Sequence, residues 1–341
     1  MKKIIYLTAL ILPCLNTLAQ LPAKVHLGLL YPLSTNGTHA PSDTNTLSIH
    51  LISGISAAEH GLTVSGFSNI IRKEAAGTQI AGFLNLISGK AEGTQLAGFA
   101  NVYRSGQHVA LAGFSNLAYG DVKGAQLAGF MNVARDVQGP QFAGFMNLAR
   151  NIKGPQFAGF LNVAKKVKGV QASGFINVAD SSDYPIGLIN LIKNGRKGIG
   201  VSIDETQTAL LTFRSGGKVL YGIAGIGYNR QNTDEVYAME LGFGARFFPH
   251  TPLGLNAEIT AQTLESFKSG EYFKAAFRLM PELTLFRTIS FYGGPSFHLV
   301  ATNTTEGKRL HPRTLHRWKN RYSADYTAIY VGYQAGFQLL F

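Results

Sequence analysis

Gly124-Ala125-Gln126-Leu127-Ala128-Gly129-Phe130-Met131-Asn132 returns thirty residues later as Gly154-Pro155-Gln156-Phe157-Ala158-Gly159-Phe160-Leu161-Asn162. Between and around these two stretches the same phrase recurs. Its phenylalanine stands at Phe67, Phe83, Phe99, Phe114, Phe130, Phe145, Phe160 and Phe175. Its asparagine stands at Asn69, Asn85, Asn101, Asn116, Asn132, Asn147, Asn162 and Asn177. The interval is always fifteen or sixteen residues. Weaker copies flank the array near Leu51 and at Gly187-Leu188-Ile189-Asn190. A unit this short cannot hold a pair of helices, and Gly139-Pro140 and Gly154-Pro155 punctuate it. The reading is a β-solenoid, each unit one coil with one main strand and a return.

Phe and Asn two residues apart fall on the same side of a strand. On that basis the phenylalanines are expected to form one internal column and the asparagines a second. The asparagine column is read as a turn-stabilising amide ladder in preference to a ligand or ion array. Leu127, Met131 and Val133 make both strand faces apolar, so one face is expected to pack against something. Basic residues gather in the returns: Arg135, Arg150, Lys153, Lys165, Lys166 and Lys168. They read as a solvated edge that discourages strand pairing, or as a stripe facing anionic lipid heads.

Working outward, the chain opens Met1-Lys2-Lys3 and runs apolar from Ile4 to Leu15 before Ala19-Gln20. This has the shape of a secretory signal over residues 1–19, cut after Ala19. The only cysteine, Cys14, lies within it, behind Pro13, a poor match for a lipidation site. After cleavage no thiol remains for disulfides, catalysis or metal binding. Elsewhere no stretch of about eighteen apolar residues occurs, so a membrane could be crossed only by a closed barrel. The net charge of +12 and pI near 9.7 would suit nucleic acid, but an exported chain meets lipopolysaccharide phosphates instead.

From residue 207 onward the period changes to two. Leu255, Ala257, Ile259 and Ala261 alternate with Asn256, Glu258, Thr260 and Gln262. Tyr237, Met239, Leu241 and Phe243 alternate with Glu240, Gly242 and Gly244. Ile329, Val331, Tyr333, Ala335, Phe337, Leu339 and Phe341 share one face of the last segment, an aromatic-rich ending that resembles the assembly signal of outer-membrane barrels. Seven strands are read at 207–215, 218–228, 236–248, 254–264, 272–286, 289–301 and 326–341. Pro281 is the weakest point. Barrels of this kind have even strand numbers, so Val25, Leu27, Leu29 and Tyr31 are assigned to the eighth.

The expected architecture is therefore all-β: an eight-stranded antiparallel outer-membrane β-barrel with an inserted β-solenoid of 15–16-residue repeats. Its parts are the signal (1–19), a first barrel strand (20–36), the solenoid (37–204) and the remaining barrel strands (205–341). The solenoid would then hang between strands one and two, outside the cell. An eight-stranded barrel is filled by its own side chains. Glu240, Glu258 and Glu282 are expected to pair in its lumen with Arg214, Arg246, Lys274 and Arg278.

Catalytic, cofactor and metal sites are not expected. Ser296 and His298 lie two apart and point into the lumen, with no third partner placed by sequence. Gly222 to Gly227 lies within a strand and is not a dinucleotide loop. Lys308, Arg309, Arg313, Arg317, Trp318, Lys319 and Arg321 form a basic, aromatic loop suited to lipopolysaccharide or a polyanionic glycan. Expected partners are outer-membrane lipid and lipopolysaccharide, the barrel assembly machinery, and an extracellular glycan or protein; nucleic acid is not among them.

The Ala-Gly-Phe-x-Asn units, over about residues 60 to 190, resemble those of surface-repeat outer-membrane proteins of Gram-negative bacteria, as described in leptospires and gut Bacteroidota. The resemblance implies an outer-membrane location and a repeat-plus-barrel architecture, and adds no catalytic residues. The function expected is a non-enzymatic surface protein for binding, adhesion or envelope structure. The alternatives are a barrel enzyme acting on lipid A or phospholipid, and a soluble periplasmic or secreted β-protein.

Overall fold

A computed structural model describes residues 24–249, 251–268, 270–311, 313–319 and 326–341. The expected signal at 1–19 and Arg321 lie outside the described residues. The fold is nearly all-β, a solenoid of about ten turns and a closed eight-stranded antiparallel barrel. The chain divides between Gln138 and Gly139 into two compact units. The first holds coils only; the second holds the later coils and the barrel.

In the first unit the repeat is built as the spacing demands. Asn116 pairs in parallel with Asn101 on one side and Asn132 on the other. The most regular coils, however, contain three short strands, where one main strand and a return were expected. In one coil they are Gln126–Ala128, Met131–Val133 and Asp136–Gln138. The Gly-Phe step breaks the expected strand in two because it turns a corner. Glycine is required there by stacking: a Cβ on Gly129 would lie 2.0 Å from the carbonyl oxygen of Gly113, one coil below.

That corner overturns the expected position of the aromatics. Alternation does not carry across a bend, so Phe and Asn do not share a side. The phenylalanines form an external column, with Phe67 52% exposed. Phe83 stacks on Phe67 and on Phe99, at 4.9 and 4.7 Å between ring centres, with planes 2° apart. Phe99, Phe114 and Phe130 continue the stack. The asparagines are internal and fully buried.

In the second unit the coils repeat this plan: Asn147, Asn162, Asn177 and Asn190 are in register. The barrel follows. Its strands are β1 (Arg196–Asp204), β2 (Thr208–Gly216), β3 (Leu220–Asn229), β4 (Tyr237–Phe247), β5 (Leu253–Glu265), β6 (Tyr272–Leu285), β7 (Ile289–Thr302) and β8 (Tyr326–Leu340). Each pairs antiparallel with the next, and β1 closes on β8 from Gly198↔Leu340 to Asp204↔Gln334.

The eighth strand is thus Arg196–Asp204. The assignment of residues 20–36 to the barrel, and of 196–204 to the solenoid, is corrected. Val25–Leu30 instead pairs in parallel with Thr44–His50, as an outer coil of the first unit. Its alternation of apolar and polar residues was real. A half-buried strand of any sheet alternates in this way, and parity of strand number cannot tell which segment supplies the missing strand. Segment 196–204 alternates as well: Ile199, Val201 and Ile203 are exposed, while Ser202 and Asp204 are buried. Pro281 is accommodated on β6, where the pairing with β7 lapses between Arg278↔Ser296 and Glu282↔Tyr292.

Candidate functional site

The barrel turns its apolar residues outward and its polar ones inward. Ile199, Leu211, Ile226, Leu241, Phe243, Ile259, Phe277 and Val331 form an exposed band. Aromatics mark its two edges. Tyr228, Tyr237, Phe267, Phe273 and Trp318 stand toward one end, and Phe247, Phe248, Phe286 and Phe341 toward the other. Such girdles sit where hydrocarbon meets headgroups.

The lumen is packed with ion pairs. Arg214 Nε donates to Glu258 at 2.9 Å, and Tyr221 and Tyr292 complete the cluster through their hydroxyls. Arg278 pairs with Glu240 and lies 3.9 Å from Glu258. Lys274 Nζ meets Asp204 at 2.6 Å. Glu282 receives Arg196, and Arg246 lies 3.8 Å away. The inward charges read from the sequence are all there. The sequence reading omits Asp204 and Arg196 from the lumen, because it assigns 196–204 to the solenoid. Opposite charges face each other across the lumen, which fills it instead of leaving a conducting path.

The connections after β1, β3, β5 and β7 leave from one end, the long end, where the loop after Thr302 starts, and those after β2, β4 and β6 leave from the other. The long end is closed by its own loops. The short helix Thr305–Arg309 is capped by the Thr304 hydroxyl, which accepts from the Gly307 N–H at 3.1 Å. Beyond it, Leu310 and His311 are buried in the mouth against Tyr272 and Tyr330. His311 Nε2 lies 2.9 Å from the Tyr272 hydroxyl, and burial pushes its pKa down to about 3. Glu306 ties this loop to its neighbour: its carboxylate accepts from the backbone N–H groups of Thr233, Asp234 and Glu235. The bond from the Thr233 hydroxyl, and after it those backbone bonds, hold its pKa down to about 2.

Ser296 and His298 do meet: Oγ lies 2.6 Å from Nε2. A third group, Glu205, stands 3.6 Å from His298. It approaches Nε2, the nitrogen the serine already occupies, whereas Nδ1 has no partner. A relay needs the acid on the other ring nitrogen. Ser296 is also 3% exposed, inside the barrel and away from lipid. This geometry orders the mouth through Glu205, which accepts from the Tyr330 hydroxyl at 2.8 Å and the Tyr333 N–H at 3.1 Å.

Of the basic loop, Lys308, Arg309, Arg313 and Arg317 are exposed at this same end. His316–Lys319 forms a short strand on β8, where Trp318 pairs with Thr327 and is 40% exposed. Arg317 lies on one face of that strand, and His316 and Trp318 on the other. Nothing is described for the Lys319 side chain.

Inside the coils the amide ladders are closed. Asn116 Nδ2 donates to Asn132 Oδ1 at 2.9 Å and to the Leu127 carbonyl at 2.8 Å. Asn162 does the same toward Asn177 and Ala172, at 3.1 and 2.7 Å. Both amide protons are used, which leaves none to offer a ligand. A second ladder runs beside the first, in which Gln156 Nε2 donates to Gln141 Oε1 at 2.8 Å. The signal for this column is the glutamine of each Gly-x-Gln start, a regularity the sequence reading leaves unused.

On the return face of the first unit lies a cleft of about 710 Å³ lined by Lys90, Arg104, Lys123, Arg135, Tyr119 and Asp121. Lys90 and Arg135 are ion-paired there, with Glu92 and Asp121. Of this set the sequence reading names only Arg135; the others lie on the returns of the preceding coils. Among the described residues no cluster of three or more metal-binding side chains occurs. Comparison with known proteins found no matching family model, no matching curated protein and no matching solved structure.

Proposed function

We propose that this chain is a non-enzymatic outer-membrane protein, a filled barrel that anchors a repeat solenoid for binding or envelope structure. The observation that carries it is the barrel's radial arrangement: apolar band and aromatic girdles outside, paired charges within. A water-soluble barrel would not turn such a band to solvent. The lumen is too full to conduct, and Ser296 and His298 lack the relay that lipid hydrolysis requires. The basic loop, with Lys308, Arg309, Arg313, Arg317 and Trp318, faces the phosphates of lipopolysaccharide.

The orientation of the repeats follows from turn lengths. In outer-membrane barrels the short turns are periplasmic and the longer loops external. The coils lead into β1 at Arg196, at the end carrying the short connections 217–219 and 286–288. We therefore put the solenoid on the periplasmic side. The surface placement expected above depended on Val25–Leu30 being a barrel strand, which it is not.

A membrane-impermeant maleimide tests both parts. Arg313→Cys is expected to label on intact cells, and Lys153→Cys only after the outer membrane is permeabilised. Labelling at Lys153→Cys on intact cells would reverse the orientation. Recovery of the chain in the soluble fraction without detergent would sink the membrane reading itself.

A further inference from the structure

On two of its three faces each repeating coil turns its amides inward and its apolar side chains outward, while the return face buries Val122, Val137, Ile152 and Val167. In the second unit, segments 140–149, 155–164 and 170–179 contain no charged residue. They form two of the three faces of each coil and the phenylalanine corner between them. Outward they present Phe142, Phe145, Leu148, Phe157 and Phe175, all exposed. The third face and its edge hold the charges: Arg150, Lys153, Lys165, Lys166 and Lys168 against Asp180 and Asp183. The first unit has the same segregation. Segments 78–87, 94–103, 109–118 and 125–134 are uncharged, and Phe67, Phe83, Phe99 and Phe114 are exposed.

The last coil also touches the wall that faces lipid. Arg214 and Tyr221 point into the lumen, so their neighbours Ser215 and Gly222, paired across β2 and β3, point outward. Ser215 is nevertheless fully buried. Its hydroxyl accepts from the Asn190 N–H at 2.9 Å, and its carbonyl takes the Asn190 side-chain amide at 3.1 Å. An added Cβ on Gly222 would lie 2.2 Å from the carbonyl oxygens of Gly187 and Leu188. The asparagine ladder therefore ends on the outside of the barrel, one residue from the end of β2.

We propose that the two uncharged faces and the phenylalanine corner lie in the phospholipid leaflet at the short-turn end of the barrel. The return face is turned to water, its lysines and arginines level with the lipid phosphates. This rests on the membrane reading of the barrel. Three observations favour a bilayer as the occupant. The apolar surface continues from the lipid-facing wall at Ser215. Basic residues border it, as they border amphipathic helices that lie in an interface. And parallel pairing from coil to coil satisfies the backbone along the faces, as hydrocarbon requires. Here an amphipathic prism does what an amphipathic helix does elsewhere.

The test uses the full chain reconstituted in phospholipid vesicles with acyl chains brominated, in a Trp318→Phe background, Trp318 being the only tryptophan. Phe277→Trp reports the barrel band, Phe157→Trp the coil face and Lys153→Trp the return face. Phe157→Trp is expected to be quenched to within about twofold of Phe277→Trp, as for a side chain in the acyl boundary, with Lys153→Trp unquenched. Quenching at Phe277→Trp with an unquenched, red-shifted Phe157→Trp would overturn the proposal in favour of a solenoid standing in water. An unquenched but blue-shifted Phe157→Trp would overturn it in favour of coverage by a second copy of this chain. No quenching at Phe277→Trp would sink the reading of the barrel, and this proposal with it.

Discussion

The barrel and the coils both bury polar side chains, yet they choose different ones. In the barrel lumen Arg278 meets Glu240 and Lys274 meets Asp204. Inside the coils asparagine meets asparagine and glutamine meets glutamine. The reason is strand direction. Antiparallel neighbours and facing walls bring unlike residues together, so opposite charges can be matched. A parallel repeat stacks each residue on its own copy one strand spacing away, about 4.8 Å. A charge there would face a like charge, so only self-complementary groups survive. Amides donate and accept, and aromatic rings stack. The same rule explains why the repeating coils carry their charges on the return face, open to water; Glu59, buried in an early coil, stacks beside Ala75 and not beside a like charge, and accepts from Asn45 and Ser48.

The largest effect expected from breaking this contrast is in the lumen. Glu240→Gln leaves Arg278 buried with only the distant Glu258, a loss of about 3–5 kcal/mol for an uncompensated buried charge. It should lower the temperature at which the folded barrel opens in detergent gels. The double change Glu240→Leu with Arg278→Met should recover most of that loss. An unchanged opening temperature in Glu240→Gln would show that the pair is dispensable.

Next comes the ladder. Asn116→Leu removes the acceptor of Asn101 and a donor to Asn132, a cost of about 1–3 kcal/mol per orphaned group. Urea unfolding of the coils should shift, with the barrel transition unmoved. A shift of both transitions together would mean that the two regions do not stabilise themselves separately.

A smaller effect sharpens the comparison by pH. The amide ladder meets its exception at the first coils, where His50 Nε2 lies 3.3 Å from His26 Nδ1 and Ser65 bridges His50 to Asn69. Burial, and secondarily His26, push the His50 pKa down to about 4. A lowered histidine is neutral in the fold and takes up a proton on unfolding. Its contribution is complete above about 6.5, where both states are neutral, and is lost as pH falls toward 4. Hydrogen exchange at Val25–Leu30 should quicken across that window, and His50→Gln should remove the dependence. Equal acid sensitivity in His50→Gln would assign the effect to other groups.

The smallest change concerns a surface clasp. Glu306→Gln weakens the bonds to Thr233, Asp234 and Glu235 while leaving the barrel's stability unchanged. In the parent chain the depressed carboxylate keeps the clasp above its ordinary pKa, and the clasp is lost only as pH falls through about 2. Faster exchange confined to residues 230–236 is the expected result. Destabilisation of the whole barrel would mean that the loops carry more than their exposure suggests.

Much of this was legible in the sequence. The period at Phe67 to Phe175 and Asn69 to Asn177 determined the solenoid, because a residue repeated at one interval must stack on itself. Alternation along 207–341 determined barrel strands and told Glu258 from Ile259, because side chains on a strand take opposite faces. Three things were decided only in three dimensions. Val25–Leu30 and Arg196–Asp204 alternate alike, and only pairing partners distinguish an outer coil from a barrel strand. Phe130 and Asn132 are two apart, yet the corner at Gly129-Phe130 sends one out and one in, and only the stacked coils show why glycine stands there, since a Cβ would meet the Gly113 carbonyl. And Ser215 reads as one more polar residue near a strand end. Its place beneath the last coil depends on a contact with Asn190, twenty-five residues away, which no local pattern encodes.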